Sequence, residues 1–321
     1  MTRTRLLPVL LALAVLAGCG GGGGTATPGS SAAPAAKLIP RDAANGKVSL
    51  TIGSKNFTEQ RVLGEIYAQG LAAAGYHVRT RLDLGDEHVA LRALKSGRID
   101  AYPEYTGTAL LSFFGFKPAE LPKDPEDAYA EVKKGFAAEN LIAFPPTPFT
   151  SSNELAVTKE TARKLSLQTI SDLKGKEGEL TLYGSPECRQ RLDCLLGLEQ
   201  VYGLNFGHFV AVPIAQRHEV LTSGKADVSI VFTTDPQIQR ESEVLLEDDK
   251  GMFPPYNSTL VMRKAVAQRA GPGLAHVLAL IQERLTDENM QELNARVDLD
   301  GQTPAAVASE YLTENGLIAG K

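Results

Sequence analysis

The hydrophobic pattern alternates between short apolar runs and longer stretches with helical spacing. Residues 48–52 and 77–84 are short runs that predict strands, and a helix at about residues 87–95 follows the second run. Gly75 ends the helix that lies between the two strands. The apolar face of that helix consists of Val62, Leu63, Ile66, Tyr67 and Leu71. Strands that alternate with helices are typical of an α/β fold with parallel strands.

The pattern continues through the second half of the chain. Three further apolar runs predict strands separated by helices: residues 154–158, 180–183 and 227–232. Residues 266–317 predict a helical tail that packs on the first part of the fold. At the start of the first helix, Asn56 is the predicted N-cap, and Glu59 stands three residues later.

Two segments of the chain carry nearly the same pattern. Residues 93–106 and 220–233 each end a helix at Ser-Gly, turn through a basic residue and an Asp, and enter an apolar strand that ends in an aromatic residue and a Thr. The offset between the two aromatic residues, Tyr105 and Phe232, is 127 residues. Ligands bind beyond the carboxyl ends of parallel strands, so the repeat predicts two α/β lobes that each present an aromatic residue to one cleft. A chance match between common helix-end signals is the alternative.

The amino terminus has the three parts of a signal peptide. Residues 1–5 are basic, residues 6–16 are apolar but too few to span a bilayer, and Leu16-Ala-Gly-Cys19 is a lipobox. We therefore expect residues 1–19 to be a bacterial lipoprotein signal with Cys19 as the lipidated residue. An ordinary secretory signal with an incidental cysteine is the alternative. Residues 20–46 are rich in Gly, Thr, Pro, Ser and Ala at their start, which predicts a disordered tether.

The other two cysteines form an even pair. If Cys19 carries lipid, Cys188 and Cys194 remain in an oxidising compartment, where disulfides persist. A metal site is the competing interpretation, but no His lies at a ligand-like spacing from the pair, and five intervening residues are not a zinc signature. The sequence favours a disulfide between them.

Length and charge limit the function classes. About 275 residues follow the tether, enough for two hydrophobic cores. The net charge of −5 offers no basic stripe for nucleic acid. Proline-rich stretches near residues 145–148 and 253–256 predict two crossings of the chain between lobes, although such clusters also mark loops. The predicted division is lobe I at residues 47–149 and 254–321, and lobe II at residues 150–253.

Motifs for catalysis are weak. His218-Glu219 begins like a zinc-protease helix, but Thr222 stands at the position of the second His. The sequence contains neither a Gly-x-Ser-x-Gly elbow nor a phosphate-binding loop of the Gly-x4-Gly-Lys-Ser/Thr type. We therefore expect a protein that is not an enzyme and has no cofactor or metal.

Four blocks of the sequence together resemble a known family. They are Ser54-Lys-Asn-Phe-Thr-Glu-Gln60, Tyr102-Pro-Glu-Tyr-Thr-Gly-Thr108, Asp248-Asp-Lys250 and Phe253-Pro-Pro-Tyr256. They are similar to the signature blocks of the substrate-binding lipoproteins of osmoprotectant ABC importers, which bind glycine betaine or choline. The resemblance extends over residues 48–317. It implies a periplasmic-binding-protein type II fold, with two α/β lobes, a hinge and a ligand cleft between the lobes.

The resemblance also implies a set of ligand-binding residues. The family holds a quaternary ammonium against four aromatic positions, which here are Tyr105, Asn153, Phe232 and Tyr256. The carboxylate-binding positions of the family fall on Lys55 and Thr108, and a further polar pair falls on Glu187 and Arg191.

Asn153 departs from this pattern, because a carboxamide replaces one aromatic wall. It adds a donor and an acceptor, which favours a ligand with a hydroxyl or carbonyl group there. Phe232 is a milder change, since the ring remains and only a hydroxyl is lost. Misalignment by a residue or two is the alternative explanation for Asn153.

The function that the resemblance implies is capture of a compatible solute, such as glycine betaine or choline, for import. The expected partners are the small-molecule ligand, an ABC permease with its ATPase, and the membrane through a lipid anchor on an extracytoplasmic monomer. One alternative is the same receptor fold with an uncharged hydroxylated or aromatic ligand. The other is a sensor or enzyme without a transport role.

Overall fold

The computed structural model describes residues 38–241 and 243–320. The predicted signal peptide and the lipidation site at Cys19 lie outside these residues, as does most of the predicted tether. The folded part begins earlier than predicted: Ile39 is buried and its N–H donates to the carbonyl of Leu317, and a 3₁₀ turn follows at Ala43–Lys47. The tether prediction is therefore wrong for residues 38–46, because the apolar pair Leu38-Ile39 follows the Ala-rich run and Ile39 packs into the core.

In the described part of the chain, ten strands form two mixed sheets of five strands each. The strands are β1 Ser49–Gly53, β2 His77–Arg81, β3 Ala101–Tyr105, β4 Leu141–Ala143, β5 Asn153–Thr158, β6 Thr181–Gly184, β7 His208–Ala211, β8 Val228–Phe232, β9 Glu243–Leu246 and β10 Ser258–Arg263. The order of the first sheet is β2-β1-β3-β10-β4, and that of the second is β7-β6-β8-β5-β9. We call the part built on the first sheet lobe I and the part built on the second sheet lobe II.

Helices pack around both sheets. They are α1 Thr58–Ala73, α2 Glu87–Lys95, α3 Thr106–Thr108, α4 Pro125–Ala138, α5 Lys159–Leu165, α6 Leu195–Gly197, α7 Glu219–Thr222, α8 Gln237–Arg240, α9 Lys264–Ala270, α10 Leu274–Gln282, α11 Asp287–Asp298 and α12 Pro304–Glu314. The tail helices α10, α11 and α12 pack against α1 of lobe I, as the sequence predicts. Within the described residues, no helix is both long and apolar enough to cross a membrane.

The sequence repeat corresponds to a structural repeat. In each sheet a strand that ends in an aromatic residue, β3 or β8, lies between a parallel neighbour and an antiparallel one. Asp100 precedes β3 and accepts a hydrogen bond from the N–H of Thr51 at 2.8 Å. Asp227 precedes β8 and accepts one from the N–H of Thr181, also at 2.8 Å. The two Asp residues therefore fix equivalent strand pairs in the two lobes.

The chain passes from lobe I to lobe II after β4 and returns before β10. The two passages meet at an isolated antiparallel bridge between Thr150 and Asn257. Asn257 also donates from Nδ2 to the carbonyls of Thr147 and Phe149, at 3.2 and 3.1 Å. Paired crossings of this kind join the lobes close to the ends of β5 and β10. The residue limits of the two lobes stay a prediction.

The N-cap prediction for α1 is wrong. Phe57 is the N-cap, in extended conformation with φ −139°, and no side chain caps the helix. Asn56 is exposed, and its backbone N–H donates to the carbonyl of Gly85. Glu59, expected in a capping role, is buried between the lobes instead.

Candidate functional site

A cavity lies between the two lobes, at the carboxyl ends of the parallel strands. All eight residues that the sequence analysis assigned to ligand binding line it: Lys55, Tyr105, Thr108, Asn153, Glu187, Arg191, Phe232 and Tyr256. The cavity is also lined by residues that the sequence analysis did not assign, among them Phe57, Asp86, Glu87 and Arg217. The structure thus brings together in one place residues that lie up to 201 positions apart in the chain.

In lobe I, a buried carboxylate organises the end of β3. Glu104 is fully buried and accepts hydrogen bonds from the N–H of Tyr105 at 2.8 Å and the hydroxyl of Tyr102 at 2.9 Å. It also forms an ion pair with Lys55. The Lys55 ammonium lies 4.5 Å from the centre of the Tyr105 ring, within the range of a cation–π contact. One carboxylate therefore fixes both the aromatic residue and the cation above it.

The hydroxyl of Tyr105 is held by a second buried carboxylate. It donates to Glu59 Oε1 at 2.6 Å, while Glu59 Oε2 accepts from the hydroxyl of Thr234 at 2.6 Å and the amide of Asn294 at 3.0 Å. Burial raises the pKa of Glu59, although these hydrogen bonds act in the opposite direction. Burial and the neighbouring Glu59 raise the pKa of Tyr105 well above its usual range, so its hydroxyl stays protonated and continues to donate.

In lobe II, Asp235, three residues beyond the end of β8, makes the equivalent contacts. Its Oδ2 accepts from the N–H of Phe232 at 2.8 Å and from Arg217 Nε at 2.7 Å. The Arg217 guanidinium lies 4.7 Å from the centre of the Phe232 ring. His218 Nε2 lies 2.9 Å from the same Asp235 oxygen, and its Nδ1 lies 2.9 Å from Glu243. Burial acts to raise the pKa of Asp235, but Arg217 and His218 outweigh it and lower the pKa to about 2.

Arg191 lies between the two lobes. It donates to Asp193 through Nε at 2.7 Å and to Glu87 through Nη1 at 2.9 Å, and Glu87 belongs to lobe I. The hydroxyl of Tyr256 donates to Asp193 Oδ2 at 2.6 Å. The sequence analysis expected a polar pair of Arg191 and Glu187. Both line the cavity, but within the described residues Arg191 forms its ion pairs with Asp193 and Glu87, not with Glu187.

Asn153 occupies the cavity wall directly opposite Phe232 in the pairing of β5 with β8. Its Nδ2 donates to the carbonyl of Asp193 at 3.1 Å. Its Oδ1 has no hydrogen-bond partner among the described residues. The carboxamide therefore presents an acceptor, and its Nδ2 keeps a second hydrogen beyond the one donated to Asp193, at the position where the family resemblance implies an aromatic ring.

The Thr106-Gly-Thr108 turn allows Tyr256 to pack closely. A Cβ atom added to Gly107 would lie 2.7 Å from both Pro254 Cγ and Tyr256 Cε1, closer than real Cβ atoms come to other groups. Glycine at this position therefore lets the Tyr256 ring pack closely against α3. Thr108, at the end of the same turn, lines the cavity and is almost fully buried.

A disulfide bond stabilises the lobe II loop that carries Arg191. Cys188 and Cys194 are bonded, with their Cα atoms 5.2 Å apart, and both are buried. The prediction from cysteine parity is confirmed. The bond closes a short loop around Arg191 and Asp193, so it limits the motion of the residues that join the lobes.

The charges in the cavity wall divide into paired and unpaired groups. Lys55, Arg191 and Arg217 are cations, and each forms an ion pair with a buried carboxylate. Asp86 and Glu187 also line the cavity, and neither forms an ion pair with any described residue. The unpaired charges of the cavity wall are therefore negative, which favours a ligand with a positive group.

The chain matches known proteins over almost its whole described length. Residues 48–314 match the family model for the substrate binding domain of the ABC-type glycine betaine transport system. The chain is 36% identical to a glycine-betaine-binding protein of Pseudomonas aeruginosa over 84% of its own length and 89% of that protein. It is 29% identical to a carnitine transport binding protein of Listeria monocytogenes, over 88% of its length and 92% of that protein.

A solved structure has the same fold. A crystal structure described as a glycine betaine/carnitine/choline ABC transporter matches with a TM-score of 0.66 and 27% identity, over 83% of this chain and 98% of that one. The prediction of a two-lobe α/β receptor of the periplasmic-binding-protein type II fold is confirmed. Members of the matched family are solute-binding proteins of transporters. The chain belongs to the family of substrate-binding proteins of ABC-type glycine betaine transport systems.

Proposed function

We propose that this protein is the extracytoplasmic solute-binding component of an ABC importer, and that it captures a small quaternary amine such as glycine betaine or choline. The observation that carries the proposal is the cavity itself. Tyr105, Phe232 and Tyr256 line it together with the unpaired carboxylates of Asp86 and Glu187. A quaternary ammonium has no N–H to donate, so aromatic faces and negative charge are the groups that stabilise it.

The remaining residues have proposed roles at the other end of the ligand. Lys55 uses one ammonium hydrogen for Glu104 and has two more, so it can donate to a ligand carboxylate together with Thr108. The acceptor Oδ1 of Asn153 suits a ligand hydroxyl. A ligand between these groups contacts both lobes, which stabilises the closed arrangement that docks on a permease.

The test is calorimetric titration of the purified chain carrying Cys19→Ser with glycine betaine, choline, carnitine and proline. We expect heat with at least one quaternary amine and none with proline. In a bound complex, Tyr105→Ala and Tyr256→Ala should each weaken binding fivefold to thirtyfold, because about 1 to 2 kcal/mol is lost with each ring. An absence of heat with every quaternary amine would contradict the proposal.

Asn153 supports a second candidate ligand class on the same fold. Its unpartnered Oδ1 favours an uncharged ligand that is hydroxylated or aromatic, stacked on the remaining rings. Asn153→Tyr separates the two candidates, because it restores a cation–π wall and removes the acceptor. Tighter binding of a quaternary amine to Asn153→Tyr supports the first candidate, and loss of a hydroxylated ligand supports the second.

We also propose that the protein is anchored to the membrane through lipid on Cys19, outside the cytoplasm, which the lipobox motivates. The change Cys19→Ser should release the protein into the soluble extracytoplasmic fraction. Membrane fractionation of cells that express the two forms measures this. Retention of the variant with the membrane to the same degree as the parent would rule out the anchor.

A further inference from the structure

Phe57 has an unusual position in the fold. It is the N-cap residue of α1, the 16-residue helix that follows β1, and its side chain makes no capping hydrogen bond. Ser, Thr, Asn and Asp are preferred at this position, and their replacement costs about 1 kcal/mol. The Phe57 ring is only partly buried and lines the cavity. The residue at this position therefore does not stabilise the helix by capping it, and its ring lies in the cavity wall instead. This departure from the usual N-cap indicates a role for the ring in the cavity.

The ring contacts aromatic residues of both lobes. Its centre lies 6.2 Å from that of Tyr105 in lobe I, with an angle of 21° between the planes. It lies 5.3 Å from the Phe232 ring in lobe II, tilted by 46°. Both distances fall within the range of favourable aromatic pairs. Phe57 is therefore the ring that connects the Tyr105 and Phe232 rings across the gap between the lobes.

The same rings already accept a cation from the protein. The Lys55 ammonium lies 4.5 Å from the centre of the Tyr105 ring and 5.9 Å from that of Phe57. An ammonium group thus fits beside both rings at once. On the lobe II side, the pairing partner of Phe232 in β5 is Asn153, which has no ring. The nearest ring to Phe232 in the described cavity wall comes instead from Phe57.

We propose that Phe57 supplies the aromatic face that Asn153 does not, so that a bound quaternary ammonium is held by Phe57 together with Tyr105 and Phe232. This inference rests on the proposed function, because it requires a cationic ligand. It makes Phe57 a ligand-contacting residue of this chain, and it places the missing wall on lobe I instead of lobe II. A ligand held in this way contacts both lobes through aromatic faces.

Calorimetric titration with choline and with its neutral isostere 3,3-dimethylbutan-1-ol tests the proposal. The proteins are the chain carrying Cys19→Ser and the same chain with Phe57→Leu, Phe57→Tyr or Phe209→Leu. Phe57→Leu keeps apolar volume but has no π face, so it should weaken choline binding about fivefold to thirtyfold and affect the isostere less. Phe57→Tyr keeps the ring face and should remain within about threefold of the parent.

Phe209→Leu is the matched control. Phe209 is also partly buried and has a cation, Arg189, 4.4 Å from its ring centre, but it does not line the cavity. Its replacement should leave the choline affinity unchanged. If Phe57→Leu binds choline as tightly as the parent, or loses choline and isostere equally, the proposed ring contact is wrong. If the parent binds no quaternary amine, the proposed function fails first, and this inference fails with it.

A second measurement does not depend on affinity. The chain contains no Trp, so Phe57→Trp introduces a single indole whose fluorescence reports on its surroundings. Choline should change the emission of Phe57→Trp in a saturable way and leave that of Phe209→Trp unchanged. Saturable binding by calorimetry without any change in the emission of Phe57→Trp would overturn the proposal.

Discussion

The two lobes use the same arrangement at the cavity and build it from different residues. In each lobe one buried carboxylate accepts the backbone N–H of the aromatic residue at the strand end and pairs with a cation that lies over the ring. In lobe I these groups are Glu104, Tyr105 and Lys55. In lobe II the carboxylate is Asp235, which serves Phe232 and Arg217.

The difference lies in what else each carboxylate binds. Glu104 also accepts from the Tyr102 hydroxyl, a neutral donor within the same strand. Asp235 also contacts His218, which in turn contacts Glu243. Among the described residues, Glu104 of lobe I therefore forms a single ion pair, with Lys55. Lobe II has a connected series of four charged or titratable groups: Arg217, Asp235, His218 and Glu243. The two lobes therefore share the arrangement of strands but differ in the charged groups that surround the aromatic ring.

The largest expected effect comes from removing either carboxylate. Asp235→Ala leaves Arg217 and His218 without their shared partner, and Glu104→Ala leaves Lys55 without one; all of these groups are buried. A buried charge without a partner costs about 3 to 5 kcal/mol of the free energy of unfolding. Asp235→Ala should be the more damaging, because Arg217 loses its ion-pair partner and His218 keeps only Glu243. Urea denaturation monitored by circular dichroism measures both.

Double variants sharpen this comparison. Lys55→Met with Glu104→Leu removes the whole lobe I pair and should recover most of the stability lost by Glu104→Ala, since no charge is left alone. Arg217→Met with Asp235→Leu should recover less, because His218 and Glu243 remain buried there. If the two double variants recover the same unfolding free energy, the His218–Glu243 pair is not energetically coupled to Arg217 and Asp235.

The next effect concerns the segments that follow β1 and β6, the strands that pair in parallel with β3 and β8. After β1 the chain passes through Phe57 into α1, but after β6 it enters a short 3₁₀ turn at Pro186–Gln190, and the disulfide follows. In lobe II the disulfide therefore restrains the segment after β6, whereas in lobe I the long helix α1 restrains the segment after β1. The double variant Cys188→Ala with Cys194→Ala should lose about 2 kcal/mol, the value expected for so short a loop.

Differential scanning calorimetry of that variant and the parent, each with and without reductant, measures the effect. The reductant should lower the melting temperature of the parent to that of the variant and leave the variant unchanged. A parent that melts at the same temperature with and without reductant would mean that the bond does not contribute to stability.

The sequence predicted best those elements whose bounds depend on neighbouring residues, and it missed elements fixed by pairing with distant strands. The predicted bounds of α2 match the structure, in which Asp86 is the N-cap and accepts from the N–H of Val89. β10 was not predicted, because its short run Ser258–Arg263 is fixed by antiparallel pairing with β3 and β4, which are distant in sequence. β2 ends at Arg81 and not at residue 84, because Asp83 has φ +61° and Ser54 binds the backbone there.

The candidate site divides in the same way. The positions of the aromatic residues follow from motifs, so they could be assigned without coordinates. The partner of each cation could not, because Lys55 and Glu104 are 49 residues apart, and Arg217 and Asp235 are 18 apart. Phe57 belongs to the sequence block of residues 54–60, but only the fold shows that its ring lies between Tyr105 and Phe232.

The two rings differ by a hydroxyl, and exchanging it should have unequal effects. Tyr105→Phe removes a donor from the buried Glu59 carboxylate and should lower the free energy of unfolding by about 1.5 to 3 kcal/mol, an effect of similar size to the loss of the disulfide. Phe232→Tyr adds a hydroxyl to a partly exposed ring and should change the free energy of unfolding by under about 0.5 kcal/mol. Equal effects in urea denaturation would contradict the assigned role of Glu59.

The smallest effect is the pH dependence that only lobe II should have. Hydrogen bonds to Asp235 and Glu243 outweigh burial and raise the pKa of His218 above its ordinary value of 6.5. A histidine whose pKa is raised by folding binds its proton more tightly in the folded state. Its stabilising contribution is therefore complete below pH 6.5 and is lost as the pH rises through the raised pKa.

The groups that face His218 are its partners Asp235 and Glu243, the neighbouring Arg217, and the more exposed Glu241. Glu154, whose pKa burial raises to about 8, changes its charge in the same pH range, so the parent alone does not isolate His218. The difference in unfolding free energy between the parent and His218→Gln does, because Glu154 contributes equally to both. That difference, measured from pH 5.5 to 9, should be largest at the acid end and decline as the pH rises.

The lobe I variant Glu104→Gln removes a pair that contains no histidine, so its difference from the parent should stay level over the same range. A level difference for His218→Gln as well would mean that the two lobes do not differ in their response to pH.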